Sequence, residues 1–368
     1  MEFKIKKNDF LNPLKKIHRI ITKNPIFPIL ENIILNVMKN KIILTSSNLE
    51  IELNAYIAKE FFFCYIPGSC LISGKKILNI CRNIQNNVEL HFQIIKKKIH
   101  IRALDSLFKL NTSSDKNFPK FQIIKGTKTF FLSQSILKEI ISLTSFSIAR
   151  NDIRTALNGM LIEYKNNYLF SVTTDGHRLS MYKKKIYLDI SCISFIINKK
   201  SISELSRLLT DTTEKIQITI SNHYAAFHVQ ETLLQTKLLN NNFPNYQDVL
   251  LKHDTFCISV SREKLKESLL KTSILCNTTF KGVCLNFSKN KLTITSNNQE
   301  DEESSDAFDI NNQHEEISFS INVFYLLDSL NALHADTINI VFKIPISSIQ
   351  IQTNTKKEIL YIIMPLNL

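Results

Sequence analysis

Residues 130–141, Phe130-Phe131-Leu132-Ser133-Gln134-Ser135-Ile136-Leu137-Lys138-Glu139-Ile140-Ile141, decide the fold, because the same arrangement stands twice more in the chain. A short apolar strand runs into a hydroxyl that can cap a helix, and apolar residues then recur at helical spacing. The first copy reads Phe3-Lys4-Ile5 with Asn8-Asp9 as its cap, then Phe10, Leu11, Leu14 and Ile17. The third reads Phe256-Cys257-Ile258-Ser259-Val260, cap Ser261, then Leu265, Leu269 and Leu270. Phe3 to Phe130 is 127 residues and Phe130 to Phe256 is 126. A long internal period of this kind outranks any single motif.

Working outward, each copy continues into a hairpin. Asn32–Val37 turns through Lys39-Asn40 into Ile42–Asn48, Gly159–Ile162 turns through Lys165-Asn166-Asn167 into Tyr168–Asp175, and Gly282–Phe287 turns through Lys289-Asn290 into Lys291–Asn297. Alternating apolar residues about an Asn-containing turn predict paired strands. All three return strands end on a hydroxyl followed by Asn or Asp. Second helices are predicted over Lys75–Ile84, Ser201–Leu209 and Val323–Leu333. The first two copies close on Asn117-Phe118-Pro119 and Asn242-Phe243-Pro244; the third runs to the C-terminus through Leu360–Pro365. The fold class is therefore α+β, with three tandem domains over residues 1–125, 126–253 and 254–368.

Composition sets the outer limits. A chain of 368 residues, 44% hydrophobic and 21% charged, can bury more than one core. No apolar run reaches membrane-span length and no leader stands at the N-terminus, so a cytoplasmic protein is expected. Seven cysteines without a CxxC or a His at zinc spacing read as buried thiols in a reducing compartment. The net charge of +13 suits a polyanionic partner. The abundance of Lys, Asn, Ile and Phe beside six glycines and no tryptophan also follows from AT-rich codons. Cations on predicted helix faces recur in every copy: Lys15, Lys16, Arg19 and Lys23; Lys75, Lys76 and Arg82; Lys138 and Arg150; Lys199, Lys200 and Arg207; Lys264, Lys266 and Lys271. Such a spread suits phosphate contacts that position a duplex without reading bases, and equally suits solvated faces.

A catalytic reading finds little. Asp175-Gly176-His177-Arg178 sets an acid beside a His without an identified nucleophile or metal partner, there is no Walker A run, and Asp301, Glu302 and Glu303 are too close in sequence to converge readily on one ion. No cofactor is expected.

The middle copy carries a resemblance. Asn151-Asp152-Ile153-Arg154-Thr155-Ala156-Leu157-Asn158-Gly159-Met160, then Val172-Thr173-Thr174-Asp175-Gly176-His177-Arg178-Leu179, with Phe243-Pro244-Asn245-Tyr246, Asn331-Ala332-Leu333 and Met364-Pro365-Leu366, resembles the bacterial DNA polymerase III beta subunit family, the DNA sliding clamps, along the whole chain. The resemblance implies three tandem copies of the DNA-clamp fold, with helices lining a ring and sheets outside. It implies a non-catalytic homodimer closed head to tail around duplex DNA, with the polymerase III alpha subunit, clamp-loader subunits and other proteins bearing clamp-binding motifs as partners, and no membrane. It places a partner-peptide pocket between the second and third domains at Arg154, Leu157, Thr174, Gly176, His177, Arg178, Leu179, Pro244, Val249, Asn322, Tyr325, Ser348, Ile362, Ile363, Met364, Pro365 and Leu366. The implied DNA-facing positions are Lys15, Lys16, Lys23, Lys75, Arg82, Arg150, Asn151, Lys199, Lys200 and Arg207. The implied dimer interface sets Ile274 and Leu275 against Ile80, Ile84 and Phe108, with Glu300, Glu302 and Glu303 (and Asp301 in the same run) facing Lys75 and Lys76. The chain departs from the family pattern at Asp248 and Asn367, where basic residues are usual, at Asn24 in place of Arg, and at Thr155-Ala156 where aromatics occur. Weaker preference for acidic peptide flanks is the expected result. A monomeric nucleic-acid-binding protein and a nucleic-acid-processing enzyme are the alternatives; topological release from DNA ends and cleavage assays separate them.

Overall fold

The computed structural model describes residues 1–121, 128–251, 255–277, 279, 281–312, 315–353 and 358–366. The expected domain boundaries at 125/126 and 253/254, and Asn367, lie outside the described residues. Six α-helices stand among those described, two per sequence copy: α1 Lys7–His18, α2 Gly74–Asn83, α3 Gln134–Thr144, α4 Lys199–Leu208, α5 Arg262–Thr272 and α6 Val323–Ala332. None is long and apolar enough to cross a membrane.

Local chemistry accounts for three of the helix starts. Ser73 accepts from the Lys76 amide, Ser261 from the Lys264 amide, and Asn322 from those of Phe324 and Tyr325. The first helix departs from expectation. It begins at Lys7, ahead of the Asn8-Asp9 pair, and Lys6 at its N-cap makes no side-chain cap. The neighbouring loop does that work instead: the Lys7 amide donates to Val88 O at 2.8 Å. The buried Lys7 ammonium closes the other end of the contact, donating to Ile84 O at 2.5 Å at the C-terminus of α2.

The chain divides into two compact units. The first holds Met1–Lys138 and Lys200–Leu238. Its five-stranded sheet runs Phe62–Ile66, Glu2–Lys6, Glu89–Ile95, Lys98–Ala103, Ser106–Asn111; its eight-stranded sheet runs Lys128–Ser133, Lys215–Ile220, Tyr224–Val229, Thr232–Lys237, Ile51–Ala58, Lys41–Ser47, Asn32–Val37, Gly68–Ser73. Alternation along Glu2–Lys6 sends Phe3 inward, where it stacks on Phe92 at 4.6 Å between ring centres, with Phe10 of α1 closing the cluster.

The second unit holds Glu139–Lys199 and Leu239–Leu368. Its eight-stranded sheet runs Ile193–Asn198, Gly159–Lys165, Tyr168–Thr174, Arg178–Lys185, Ile359–Ile363, Ile349–Gln352, Thr337–Phe342, Phe256–Ser261, and a four-stranded sheet runs Glu303–Asp309, Lys291–Asn297, Gly282–Phe287, Ile317–Asn322. Each eight-stranded sheet is thus two four-stranded halves from successive sequence copies, zipped by one antiparallel pair. In the first unit Leu234 stands opposite Leu53; in the second Tyr361 stands opposite Ser180.

The hydroxyl-then-Asx signature has a structural cause that recurs three times. Ser46 Oγ donates to Ile17 O, Thr173 Oγ1 to Thr144 O, and Ser296 Oγ to Thr272 O, at 2.6, 2.5 and 2.6 Å. Each buried hydroxyl satisfies a carbonyl at or near the end of the first helix of its copy. The Asx side chains of Asn48, Asp175 and, one place beyond the expected Asn297, Asn298 then accept backbone amides two to four residues on, turning the chain into the strand that makes the next pairing.

Candidate functional site

In the second unit the Asx turn becomes one wall of a cavity of about 150 Å³. Asp175 Oδ1 accepts the amides of His177 and Arg178, and Gly176 sits at φ +91°, a left-handed position that suits glycine. Thr174 Oγ1 donates to Arg178 O at 2.6 Å and accepts from the Gly176 amide, so the turn is braced from inside. Facing it is the segment Phe243–Val249, whose 3-10 turn Tyr246–Val249 is capped by Asn245. Buried Leu157, Leu179 and Ile362 line the cavity, with half-exposed Met364 at its mouth. The Met364 amide is held by His177 O at 2.9 Å. A volume of this size holds about one ring or one branched side chain, well short of a drug-sized ligand. An aliphatic lining with a thioether at the mouth fits apolar side chains of varied shape.

Both guanidiniums and the phenol that line the cavity are already engaged. Arg178 donates from Nε to Asp175 at 3.0 Å, from Nη1 to Asp328 at 2.7 Å and from Nη2 to Phe146 O at 2.8 Å, and its plane lies 4.4 Å from the ring centre of Tyr325. The guanidinium therefore ties the turn to α6. Arg154 bonds Asp152 through its amide, Nε and Nη2. It crosses Gly176 so closely that a Cβ there would stand 2.6 Å from Nη2. Tyr246 is buried and donates to Glu163 at 2.9 Å; burial first, then that hydrogen bond and the Glu163 charge, pushes its phenol up. Neither Asp175 oxygen goes to the His177 ring in these bonds: both are spent on backbone amides and Arg178, an arrangement that braces a turn.

Of the expected pocket positions the cavity brings together Arg154, Leu157, Thr174, Gly176, His177, Arg178, Leu179, Pro244, Val249, Ile362 and Met364. Six stand apart from its lining. Asn322 caps α6, Tyr325 stacks on Arg178, Ser348 and Ile363 are buried, Pro365 is half-buried, and the Leu366 amide bonds Ser320 O at 2.7 Å. Phe243, Asn245 and Tyr246 complete the lining. The signal for them was in the same Phe-Pro-x-Tyr run that supplied Pro244.

The basic positions differ in how free they are. In the first unit Lys15, Lys23, Lys75 and Arg82 are exposed and Lys16 half-exposed, whereas Lys200 faces Glu50 at 3.4 Å and Arg207 faces Glu204 at 2.6 Å. In the second unit Arg150 and Asn151 are exposed. Lys199 is drawn in to Ile148 O at 2.8 Å, and burial, then Arg150 and Arg178, pushes its ammonium down. Of the expected interface positions, the first unit exposes Lys76 and half-buries Ile80, Ile84 and Phe108. The second exposes Ile274, Glu300, Glu302 and Glu303 and half-buries Leu275.

Known proteins match this arrangement end to end. Family signatures described as DNA polymerase III beta subunit match in succession: N-terminal domain over residues 1–122, central domain over 131–245 and C-terminal domain over 247–367. The beta sliding clamp of Buchnera aphidicola subsp. Rhopalosiphum padi is 39% identical over 364 residues, 99% of each chain. That of Escherichia coli (strain K12) is 32% identical over 368 residues, all of both chains. The crystal structure of the DNA polymerase III subunit beta from Pseudomonas aeruginosa superposes with a TM-score of 0.96 at 30% identity, covering both chains fully.

Proposed function

This chain belongs to the DNA polymerase III beta subunit family, the bacterial sliding clamps, and from that membership we propose how its own residues close the ring and dock partners. It is a non-catalytic processivity factor of three tandem clamp domains, acting as a dimer on DNA with polymerase and clamp-loader partners. The domains run 1–125, 126–253 and 254–368, and the protein works in the cytoplasm.

The observation that carries ring closure is a pair of unused edges. The pairing that zips sequence copies occurs once in each unit, between Thr232–Lys237 and Ile51–Ala58 and between Ile359–Ile363 and Arg178–Lys185. The strands in the corresponding places of the outer copies, Ser106–Asn111 and Glu303–Asp309, end their sheets. Two chains joined head to tail satisfy both edges, a heterologous contact that closes after one repetition.

Equivalence sets the register. Ser106 follows its two-residue turn as Thr232 does, opposite Ala103 and Val229 respectively. Glu303 stands opposite Asn297 as Glu52 stands opposite Ser47. Because Thr232 meets Ala55 and Gln235 meets Glu52, Ser106 meets Asp306 of the partner subunit, Phe108 meets Ser304 of the partner subunit and Lys109 meets Glu303 of the partner subunit. Ile80, Ile84 and Phe108 then seal against Ile274 and Leu275, while Lys75 and Lys76 steer Glu300 and Glu302. The exposed Lys15, Lys23, Lys75, Arg82, Arg150 and Asn151 and the half-exposed Lys16, with Lys199, Lys200 and Arg207 after exchange of their present partners, contact phosphates in a sequence-independent way. Apolar anchors of partner peptides enter the cavity lined by Leu157, Leu179, Ile362 and Met364.

Native mass spectrometry with negative-stain imaging tests closure. A dimer imaged as a six-lobed ring is expected; Lys109→Glu weakens it and the Lys109→Glu/Glu303→Lys double variant recovers it. Monomers at micromolar concentration, or no recovery in the double variant, would sink the edge pairing.

A further inference from the structure

The cavity's charged surroundings carry information about which peptide it takes. Both lining guanidiniums are answered by carboxylates: Arg154 by Asp152, Arg178 by Asp175 and Asp328. Glu163, bonded by the lining Tyr246, is answered in turn by Lys165 at 2.8 Å. Among the described residues, the remaining carboxylate bonded to a lining residue is Asp248. Its Oδ1 accepts from the Nδ2 of lining Asn245 at 2.8 Å, so it is held exposed beside the cavity by a partner that carries no charge. On a chain of net charge +13, Asp248 thus presents a negative charge that no cation among the described residues pairs with.

Resting on the reading of this cavity as the partner-peptide pocket, we infer that Asp248 is a specificity-determining residue that selects peptides carrying a Lys or Arg beside their apolar anchors. The anchors supply affinity by burial, and the Asp248 charge sorts flanks of opposite sign. The Asn245 side chain has a double duty: its Oδ1 accepts the Gln247 amide that starts the 3-10 turn, and its Nδ2 orients Asp248.

The test uses the full-length protein and two synthetic peptides that share a core of alternating Leu and Phe and carry either Lys or Glu at both ends. Fluorescence anisotropy at low salt is expected to show the Lys-flanked peptide bound more tightly, by about two- to fivefold for an exposed pair. Raising the salt should shrink the ratio. Asp248→Asn abolishes the preference and Asp248→Lys inverts it, while circular dichroism reports an unchanged fold. Equal binding of the two peptides, tighter binding of the Glu-flanked one, or a preference that survives Asp248→Asn overturns the assignment and leaves the pocket standing. Failure of both peptides to bind overturns the pocket reading itself, and the selection with it.

Discussion

Two corners of the molecule are built from the same parts and finished differently. In the first unit Asn117-Phe118-Pro119 folds back so that Phe118, 4% exposed, packs on Ile34 and Leu71. In the second unit Phe243 of Asn242-Phe243-Pro244 packs against the cluster that holds the equivalent pair, Leu161 and Ile196, cross-strand neighbours just as Ile34 and Leu71 are. Phe243 remains half-exposed there and lines the cavity. The difference traces to one strand position. Glu52 in the first corner, buried and bonded by Asn54 Nδ2 at 2.9 Å, accepts the Phe121 amide at 2.7 Å and latches the departing chain across the corner. Its counterpart in the second corner is Leu179, which offers that chain no acceptor and becomes cavity floor. The exchange of carboxylate for isobutyl thus accompanies the difference between a sealed corner and an open one.

Truncating the two phenylalanines should separate them most widely. Phe118→Ala empties a closed site and should cost about 3–5 kcal/mol of stability. Phe243→Ala removes a side chain already half in water and should cost about 1 kcal/mol, while peptide affinity falls about tenfold. Urea unfolding and peptide titration on both variants read the two effects. Equal stability losses would mean that Phe243 is a core residue like its counterpart and that the second corner is not open.

How far this contrast was legible in the sequence depends on which interactions are local. The strand–helix–hairpin order and the Gly282–Phe287 and Lys291–Asn297 hairpin were legible because alternation and Asn turns act over a few residues. So was the Ser261 cap. The start of α1 was not, since Lys7 takes its partners, Ile84 and Val88, from residues almost eighty positions on. Nor was the pairing of Thr232–Lys237 with Ile51–Ala58, because periodicity says which face a strand buries and nothing about which distant strand lies beside it. The cavity residues were reached through motifs around Asp175 and Phe243. That Arg154 and Arg178 would be answered by Asp152, Asp175 and Asp328 could not be, because residue type gives a charge without its partner.

The turns feeding the two corners sharpen the contrast on a smaller scale. Both need a left-handed residue; the first uses Leu49 at φ 73° and the second uses Gly176. The fold thus tolerates a side chain at this place, and the glycine answers a local demand: Arg154 lies across it. Gly176→Ala should lose about 1–2 kcal/mol from backbone strain and push the guanidinium off Asp152, changing peptide affinity as well. Leu49→Gly should come out near neutral, because relief of strain is offset by greater freedom of the unfolded chain. Thermal unfolding of both variants checks the asymmetry. A Gly176→Ala protein with unchanged stability and affinity would remove Arg154 as the reason for the glycine.

The smallest effect is the titration of the latch. Burial pushes the Glu52 carboxyl up, and the bonds from Asn54 and the Phe121 amide and the charge of Lys120 only partly offset it. A carboxyl with its folded pKa raised binds a proton more readily folded than unfolded. Its contribution to stability is therefore fully present below the unfolded value, near 4.5, and is lost as pH rises through the folded value. Wild-type stability relative to Glu52→Gln should accordingly rise as pH falls from 7 toward 4.5, because the variant has no proton to take up at this position. Leu179→Gln, the same test in the open corner, should leave the pH dependence of wild type unchanged. Paired urea titrations at several pH values read the difference. A wild-type advantage that shrinks on acidification would mean that the Asn54 and Phe121 bonds outweigh burial, so that the latch holds by its charge; a growing one means that it holds in spite of it.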